Sequence, residues 1–308
     1  MMATKKKQNG SLSKTPDGGQ QVNDVPGEPI EEEVTTQKNN TPLDNYKPEI
    51  YKPTLRDYKL KMLLYGPPGV GKTTFAATAD IHPFTKKVLF INIEGGMLSV
   101  ADAGEVGLQE LPDAVDLKNF AHLDKIFWWL AKGDHPYQTV VLDSLSELQL
   151  VNLDSIVEGQ LGKVTSSGAR RLDMDDVWLD DYGKSTQQLR RVLRKLRNLP
   201  MHVIFTCLDA TSQDKEKNER VHPALTPKIR GALMGYMDIV GYMYTQEVEV
   251  EAEDEESDNE TEYIRRILCQ PYGKWSAKDR SPGGRLGIVV DDPTVPKFME
   301  LITGERSE

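Results

Sequence analysis

The sequence predicts an α/β protein: a three-layer domain with a mostly parallel sheet between helices, followed by a C-terminal antiparallel hairpin. Three observations carry that expectation. Continuous Val, Ile, Leu and Phe runs, "KMLLYG", "KVLFINIE", "TVVLDS" and "MHVIFTC", are bounded by turn residues or charge, as in parallel strands buried on both faces. Amphipathic helical patterns fall between these runs, which implies right-handed crossovers. After Pro223 the character changes, and "MDIVGYMYTQEVEV" and "TEYIRRILCQPYG" read as two strands flanking an acidic segment.

Taken in order, residues 1–47 are rich in Lys, Gln, Asn, Thr, Pro, Gly and Glu and poor in large apolar side chains. Such a segment cannot offset the entropy of ordering and reads as a flexible tail. "YKPEIYKPTLRDYKLKM" mixes Tyr and Ile with two prolines and reads as an extended piece lying against the core or a neighbouring subunit. Within "DLKNFAHLDKIFWWLAKG", Phe120, Leu123, Phe127 and Leu130 carry helical spacing after an Asp116 cap. "SLSELQLVNLDSIVEGQLG" reads as a second helix. "STQQLRRVLRKLRNLP" opens on a Ser185 to Gln188 capping-box spacing, places Leu189, Val192, Leu193 and Leu196 on one face, and stops at Pro200. The domain is expected to run over residues 48–304, with an acidic loop insertion at 247–262 and a short tail at 305–308.

The formal net charge of -10 is concentrated: residues 247–262 hold ten Asp and Glu and no Lys or Arg. The rest of the chain is therefore near neutral, and the acidity does not exclude a nucleic-acid partner. The acidic segment reads either as a solubilising loop or as a docking site or nucleic-acid mimic. Cys207 and Cys269 are the only cysteines, which supports neither a disulfide framework nor a Cys-based zinc site, and no metal-ligand cluster stands out among the five His. No apolar h-region follows the charged amino terminus and no run approaches ~18 apolar residues, so a cytoplasmic protein without a membrane partner is expected.

The most specific motif lies in "LLYGPPGVGKTTFAATA", where Gly66, Gly71, Lys72 and Thr73 match G-x-x-x-x-G-K-[ST] between an expected strand and an expected helix. A phosphate chain needs several backbone N–H groups converging on one spot, and glycines permit the backbone angles and close approach that side chains block. Gly66, Pro67, Pro68, Gly69, Val70, Gly71, Lys72, Thr73 and Thr74 are the expected nucleotide-binding residues. Lys72 is expected on the β and γ phosphates, Thr73 on Mg²⁺ and Thr74 on the α phosphate. ATP with Mg²⁺ is the expected cofactor pair.

Hydrolysis needs a second metal anchor and a base. The apolar strand "TVVLD" ends in Asp143, the expected Walker B carboxylate, and the next residue is Ser144, where AAA+ and ABC-type ATPases place a catalytic Glu. "VLFINIEGG" ends in Glu94 at the carboxyl edge of the sheet, where ligands of open α/β sheets collect. A carboxylate there orients or deprotonates the attacking water, or serves as a loop or helix-cap carboxylate.

The order "GPPGVGKTT", "VLFINIEGG", "TVVLDSLSEL" resembles the RecA-like ATPase core: phosphate loop, strand ending in the catalytic Glu, and Walker B strand ending in Asp-Ser. "DYGKSTQQLRRVLRKLRNLP", "HVIFTC" and "GKWSAKDRSPGG" are similar to phage-encoded RecA-like ATPases of the Sak-type single-strand annealing family. The resemblance covers roughly residues 59–304. It implies a RecA-like P-loop NTPase core that binds single-stranded DNA as a homo-oligomer, ring or filament, and promotes strand annealing in phage recombination, in the host cytoplasm. It also implies nucleotide sites between subunits, with Lys278 and Arg280 of "AKDR" resembling the paired basic residues of the RadA "KNRFG" motif that reach a neighbour's γ phosphate. The family commonly places a polar sensor, often His, after "HVIF"; this chain has Thr206, Cys207 and Leu208.

For DNA, "KVTSSGARRLD" resembles the mobile DNA loops of RecA-type cores, which makes Lys163, Arg170 and Arg171 the candidates. The helix carrying Lys184, Arg190, Arg191, Arg194, Lys195 and Arg197 is strongly basic, and reads either as a DNA surface or as a solvated face pairing with Asp180 and Asp181. A competing function is a nucleotide-gated adaptor or loader that docks a single-strand-binding or replication protein through the acidic loop. A small-molecule kinase is disfavoured because the sequence has no obvious arginine-rich lid.

Overall fold

Lys61–Gly66 forms β1, buried along its whole length. Strand periodicity divides its side chains between two cores: Leu63 and Tyr65 enter one, Met62 and Leu64 the other. The computed structural model describes residues 50–100, 107–108, 110–164, 168, 170–250 and 260–304. The chain divides into a unit of Met1–Tyr51, of which residues 50 and 51 are described, and a unit of Lys52–Glu308 that holds every element below. The expected tails at 1–47 and 305–308 and the tip of the acidic loop, 251–259, lie outside the described residues.

After β1 come α1 (Lys72–Ala77), β2 (Val88–Asn92), β3 (Asp113–Asp116), α2 (Phe120–Lys132), β4 (Thr139–Asp143), α3 (Leu145–Glu158), α4 (Leu179–Arg197) and β5 (His202–Gln213). The remainder is β6 (Glu219–Pro223), α5 (Pro227–Tyr236), β7 (Ile239–Val250), β8 (Glu260–Leu268), β9 (Lys278–Asp279), β10 (Val289–Asp291) and α6 (Val295–Thr303). Strand order is β10-β8-β7-β1-β5-β4-β2-β3, with β6 on β5 and β9 on β7. Strands β7, β1, β5, β4, β2 and β3 run parallel, whereas β7 and β8 form the expected antiparallel hairpin, with Tyr242 opposite Leu268 and Gln246 opposite Ile264.

Both sheet faces are covered, giving the expected three layers. On one face Leu123 and Leu130 of α2, Leu148 of α3, Leu189, Val192, Leu193 and Leu196 of α4 and Ile229 of α5 pack against Leu63, Leu142 and Phe205. On the other, Phe75 after the phosphate loop meets Phe298 of α6 edge-on at 5.3 Å between ring centroids, over Leu64, Phe90 and Val141.

Two helix starts differ from expectation. Helix α2 is capped by Asn119, whose side chain accepts from His122 N, because Asp116 is consumed by β3 and its carboxylate accepts from Asn92 Nδ2 at 2.6 Å. Helix α4 starts six residues before Ser185, at Leu179, with the Asp181 carboxylate accepting from Trp178 N at 2.9 Å; Ser185 is buried inside the helix. A carboxylate bonded to a first-turn backbone N–H outcompetes the Ser-x-x-Gln spacing as the start signal.

Candidate functional site

The loop after β1 is shaped by what packs against it. A Cβ on Gly66 would lie 2.3 Å from the Met243 carbonyl oxygen of β7, so only glycine lets β1 end this close to its neighbour. Gly69 and Gly71 hold φ of 75° and 102°, the left-handed region that side chains resist. Pro67, Pro68 and Gly69 form the open rim, whereas Val70 is buried in the core beneath and pins the loop to the domain. Thr73 and Thr74 stand half-buried in the first turn of α1, which begins at Lys72.

Lys72 is 9% exposed, and its ammonium donates to Gly66 O at 2.9 Å and Pro67 O at 2.7 Å. Two of its three N–H donors brace the loop, leaving one for a phosphate oxygen. Burial lowers its pKa from the usual lysine range, opposed by the nearby Asp143 and Glu94 carboxylates.

Strand β5 lies between β1 and β4, so the loop and Asp143 face each other across one intervening strand. Thr73 Oγ1 donates to Asp143 Oδ2 at 2.7 Å, and Thr206 Oγ1, from the intervening β5, donates to Asp143 Oδ1. The carboxylate is therefore fixed from both sides. Thr206, named from sequence only as standing where the family commonly places a polar sensor, puts its hydroxyl in the middle strand, fully buried. Register pairs Asn92 with Asp143, which puts Glu94 just past the end of β2, where Ser144 Oγ donates to its Oε1. Glu94 is exposed, and its own amide donates to Asp143 O at 3.4 Å. Ser144 stands where many ATPases carry Glu, and here its hydroxyl holds a Glu from the neighbouring strand.

A hydroxyl and a carboxylate 2.7 Å apart form a hard-oxygen donor set that fits Mg²⁺, with its remaining positions left to phosphate and water. Among the described residues no group of three or more His, Cys, Asp or Glu suits a metal, so Thr73 and Asp143 would make a partial shell rather than a complete protein cage. A residue missed from sequence is Arg265. It is exposed on β8, and a Cβ on Gly71 would lie 3.3 Å from its Nε, so its guanidinium adds positive charge beside the loop. Nothing local in "YIRRIL" marks it; only the β7–β8 register brings it there.

Lys278 and Arg280 lie elsewhere. Strand β9 pairs Lys278 with Val240 and Asp279 with Ile239, and Ile239 is level with Met62 at the opening of β1. That is the opposite end of the sheet from the loop, more than ~10 Å away along β1. Lys278 Nζ donates to Met234 O at 2.7 Å and Met237 O at 2.6 Å, closing the end of α5, and Arg280 pairs with Asp238 at 2.6 Å. Within one chain neither residue meets the phosphate loop. Of the expected DNA residues, Lys163 and Arg170 are exposed and bonded to the local carbonyls Gly159 O and Gly162 O, at 2.5 Å and 3.1 Å. Arg171 corrects the expectation: it is fully buried, paired with Asp181 at 2.5 Å and stacked 4.3 Å over Trp178, so it offers no charge to solvent.

Comparison with known proteins gives a matching family model, AAA_24, an AAA domain, over residues 58–281. No curated protein matches. Among solved structures the chain is similar to the flagellar accessory protein FlaH from Methanocaldococcus jannaschii, at 10% identity and a TM-score of 0.34, over 69% of this chain and 78% of that one. It is also similar to a prototypical ATPase from the type III secretion system of pathogenic bacteria, at 11% identity and a TM-score of 0.37, over 59% of this chain and 51% of that one. Among the described residues no helix is long and apolar enough to cross a membrane.

Proposed function

The chain belongs to the AAA_24 family of AAA domains, and from that premise we propose that it is a Mg²⁺-dependent, RecA-like ATPase that binds single-stranded DNA and promotes strand annealing in phage DNA recombination. The observation that carries the enzymatic part is the Thr73–Asp143–Thr206 hydrogen-bonded set beside Lys72, with Glu94 held by Ser144 across the strand end. Bound Mg²⁺ would neutralise developing phosphate charge. The chain's own parts bind and orient: loop amides and Lys72 hold the β and γ phosphates, and Glu94 positions water in line with the γ phosphorus and accepts its proton.

A homo-oligomer with nucleotide between subunits rests on the resemblance of "AKDR" to the RadA basic pair; to reach a neighbour's γ phosphate Lys278 would leave the carbonyls of Met234 and Met237, and Arg280 would leave Asp238. The DNA and annealing parts rest on the resemblance of "DYGKSTQQLRRVLRKLRNLP" and "GKWSAKDRSPGG" to Sak-type annealing proteins. The test is turnover of ATP with and without oligo-dT, together with annealing of complementary labelled strands by the full chain. DNA-stimulated hydrolysis and accelerated annealing are expected. Hydrolysis with no mobility shift of a labelled single strand at low salt would remove the DNA part, and pull-down of a replication protein that is lost when residues 247–262 are deleted would favour an adaptor instead.

A further inference from the structure

On the outer face of α4 the side chains of Gln187, Arg190, Arg191, Arg194, Lys195 and Asn198 line an open groove of about 470 Å³, closed on one side by Tyr236 of α5. These positions repeat at helical spacing and form a stripe about 16 Å long. Arg190, Arg191 and Arg194 are exposed, and none of them is ion-paired among the described residues. The pairing with Asp180 and Asp181 that would make α4 a merely solvated face does not reach them: Asp181 is taken by Arg171, with Lys184 at 4.0 Å. Two further carboxylates engage cations near the stripe: Asp124, with Lys195 at 2.8 Å, and Asp238, with Arg197 and Arg280 at 3.8 Å and 2.6 Å.

Aromatic rings are interleaved with this charge. The Arg194 guanidinium lies 5.0 Å over the Tyr236 ring and donates to its hydroxyl at 2.9 Å. Hydrogen bonds from Arg190 and Arg194 hold that phenol below its usual pKa, so positive charge converges on one side of the ring. Lys195 sits 5.4 Å over Trp128 of α2, an indole left 54% exposed beside the groove. Three arginines outside any ion pair among the described residues, in line and with rings at their margins, are the chemistry that tracks a phosphate backbone while stacking unpaired bases.

We infer that the α4 stripe, with Tyr236 and Trp128, is the single-stranded DNA contact surface of this protein, in place of the segment around Lys163 and Arg170. This rests on the proposed single-strand ligand. A neighbour's nucleotide is the weaker fit, because a single triphosphate spans only part of a 16 Å stripe.

The test is anisotropy of a labelled oligo-dT with the full chain carrying Arg190→Ala, Arg191→Ala and Arg194→Ala together. Three lost phosphate contacts on a single strand, at a salt slope of ~0.7 per contact, predict about 100-fold weaker binding near 0.1 M salt and a slope shallower by about 2. Binding of a fluorescent ATP analogue should be unchanged, and Lys163→Ala with Arg170→Ala should cost less than the triple variant. In the wild-type chain, phenylglyoxal modification of the three arginines, read by mass spectrometry, should be blocked by oligo-dT, which keeps the question answerable if the triple variant misfolds. A wild-type chain that ignores oligo-dT overturns the ligand itself. A chain that binds it, with the triple variant within threefold or the arginines unprotected, overturns the surface alone. Protection by Mg·ATP and not by DNA overturns it in favour of a subunit contact.

Discussion

Thr206→Val isolates the contribution of the middle strand to Asp143, the proposed metal anchor. The substitution keeps the buried shape, since Thr206 is fully buried in β5, and deletes one hydroxyl. That hydroxyl is one of two side-chain donors on Asp143, the other being Thr73 at 2.7 Å, and its second contact, Leu142 O at 3.4 Å, is weak. A hydrogen bond to a charged group is worth about 1.5–3 kcal/mol. At about 1.4 kcal/mol per tenfold, its loss predicts a roughly 10- to 100-fold drop in Mg·ATP affinity or turnover. Nucleotide binding in EDTA should hold, because the loop amides and Lys72 are untouched. Calorimetry with and without Mg²⁺, paired with steady-state hydrolysis, separates the two. A folded variant whose Mg²⁺-dependent gain in affinity and turnover stays within twofold of wild type would refute the claim that β5 orients Asp143.

Glu94→Gln should retain Mg·ATP binding and lose turnover by about 100-fold or more, the scale of a lost acid/base group, and unchanged kcat would remove Glu94 from the chemistry. Arg171→Met should destabilise the fold by about 3 kcal/mol in urea titrations, because Asp181 is left buried without its guanidinium partner; stability equal to wild type would contradict the buried pair. His202 accepts from Leu60 N at 3.0 Å, and burial, reinforced by Lys59 and Lys61, pushes its pKa down to about 3. The unfolded chain takes up this proton near pH 6.5 and the folded one does not, so His202 lends stability above that value and loses it as pH falls toward 3, at up to ~1.4 kcal/mol per pH unit. Tm measured from pH 7 to 4 should fall less steeply for His202→Gln, and parallel curves would exclude this source.

Much of the frame was legible because it rests on local chemistry. The strands β1, β2, β4 and β5 announce themselves as apolar runs, and the loop as a glycine pattern whose φ values only glycine holds comfortably. The β7–β8 hairpin was visible from the two runs flanking the acidic stretch. What escaped depends on distant pairing. Asp113–Asp116 has no apolar signature yet becomes the edge strand β3, because β2 supplies its backbone partners. Helix α6 was missed although Thr294 caps it and Pro296 sits in its first turn, and its burial comes from Phe75 far away in sequence. Thr206 and Arg265 become site residues through sheet order alone. Arg171 shows the converse error, since its charge suggested a surface loop while its partner Asp181, ten residues on, takes it inside.

The central claim is that Gly66–Thr74 and the Lys72 ammonium hold a nucleoside triphosphate. Calorimetric titration of Mg·ATP into the intact chain and into Lys72→Ala tests it most directly. Saturable binding by the first, weakened at least ~100-fold in the second with the fold retained by circular dichroism, is the expected result, since a charge-assisted contact to phosphate accounts for about 3 kcal/mol. A folded wild-type chain that releases no heat with any purine triphosphate, or two chains of equal affinity, would contradict it.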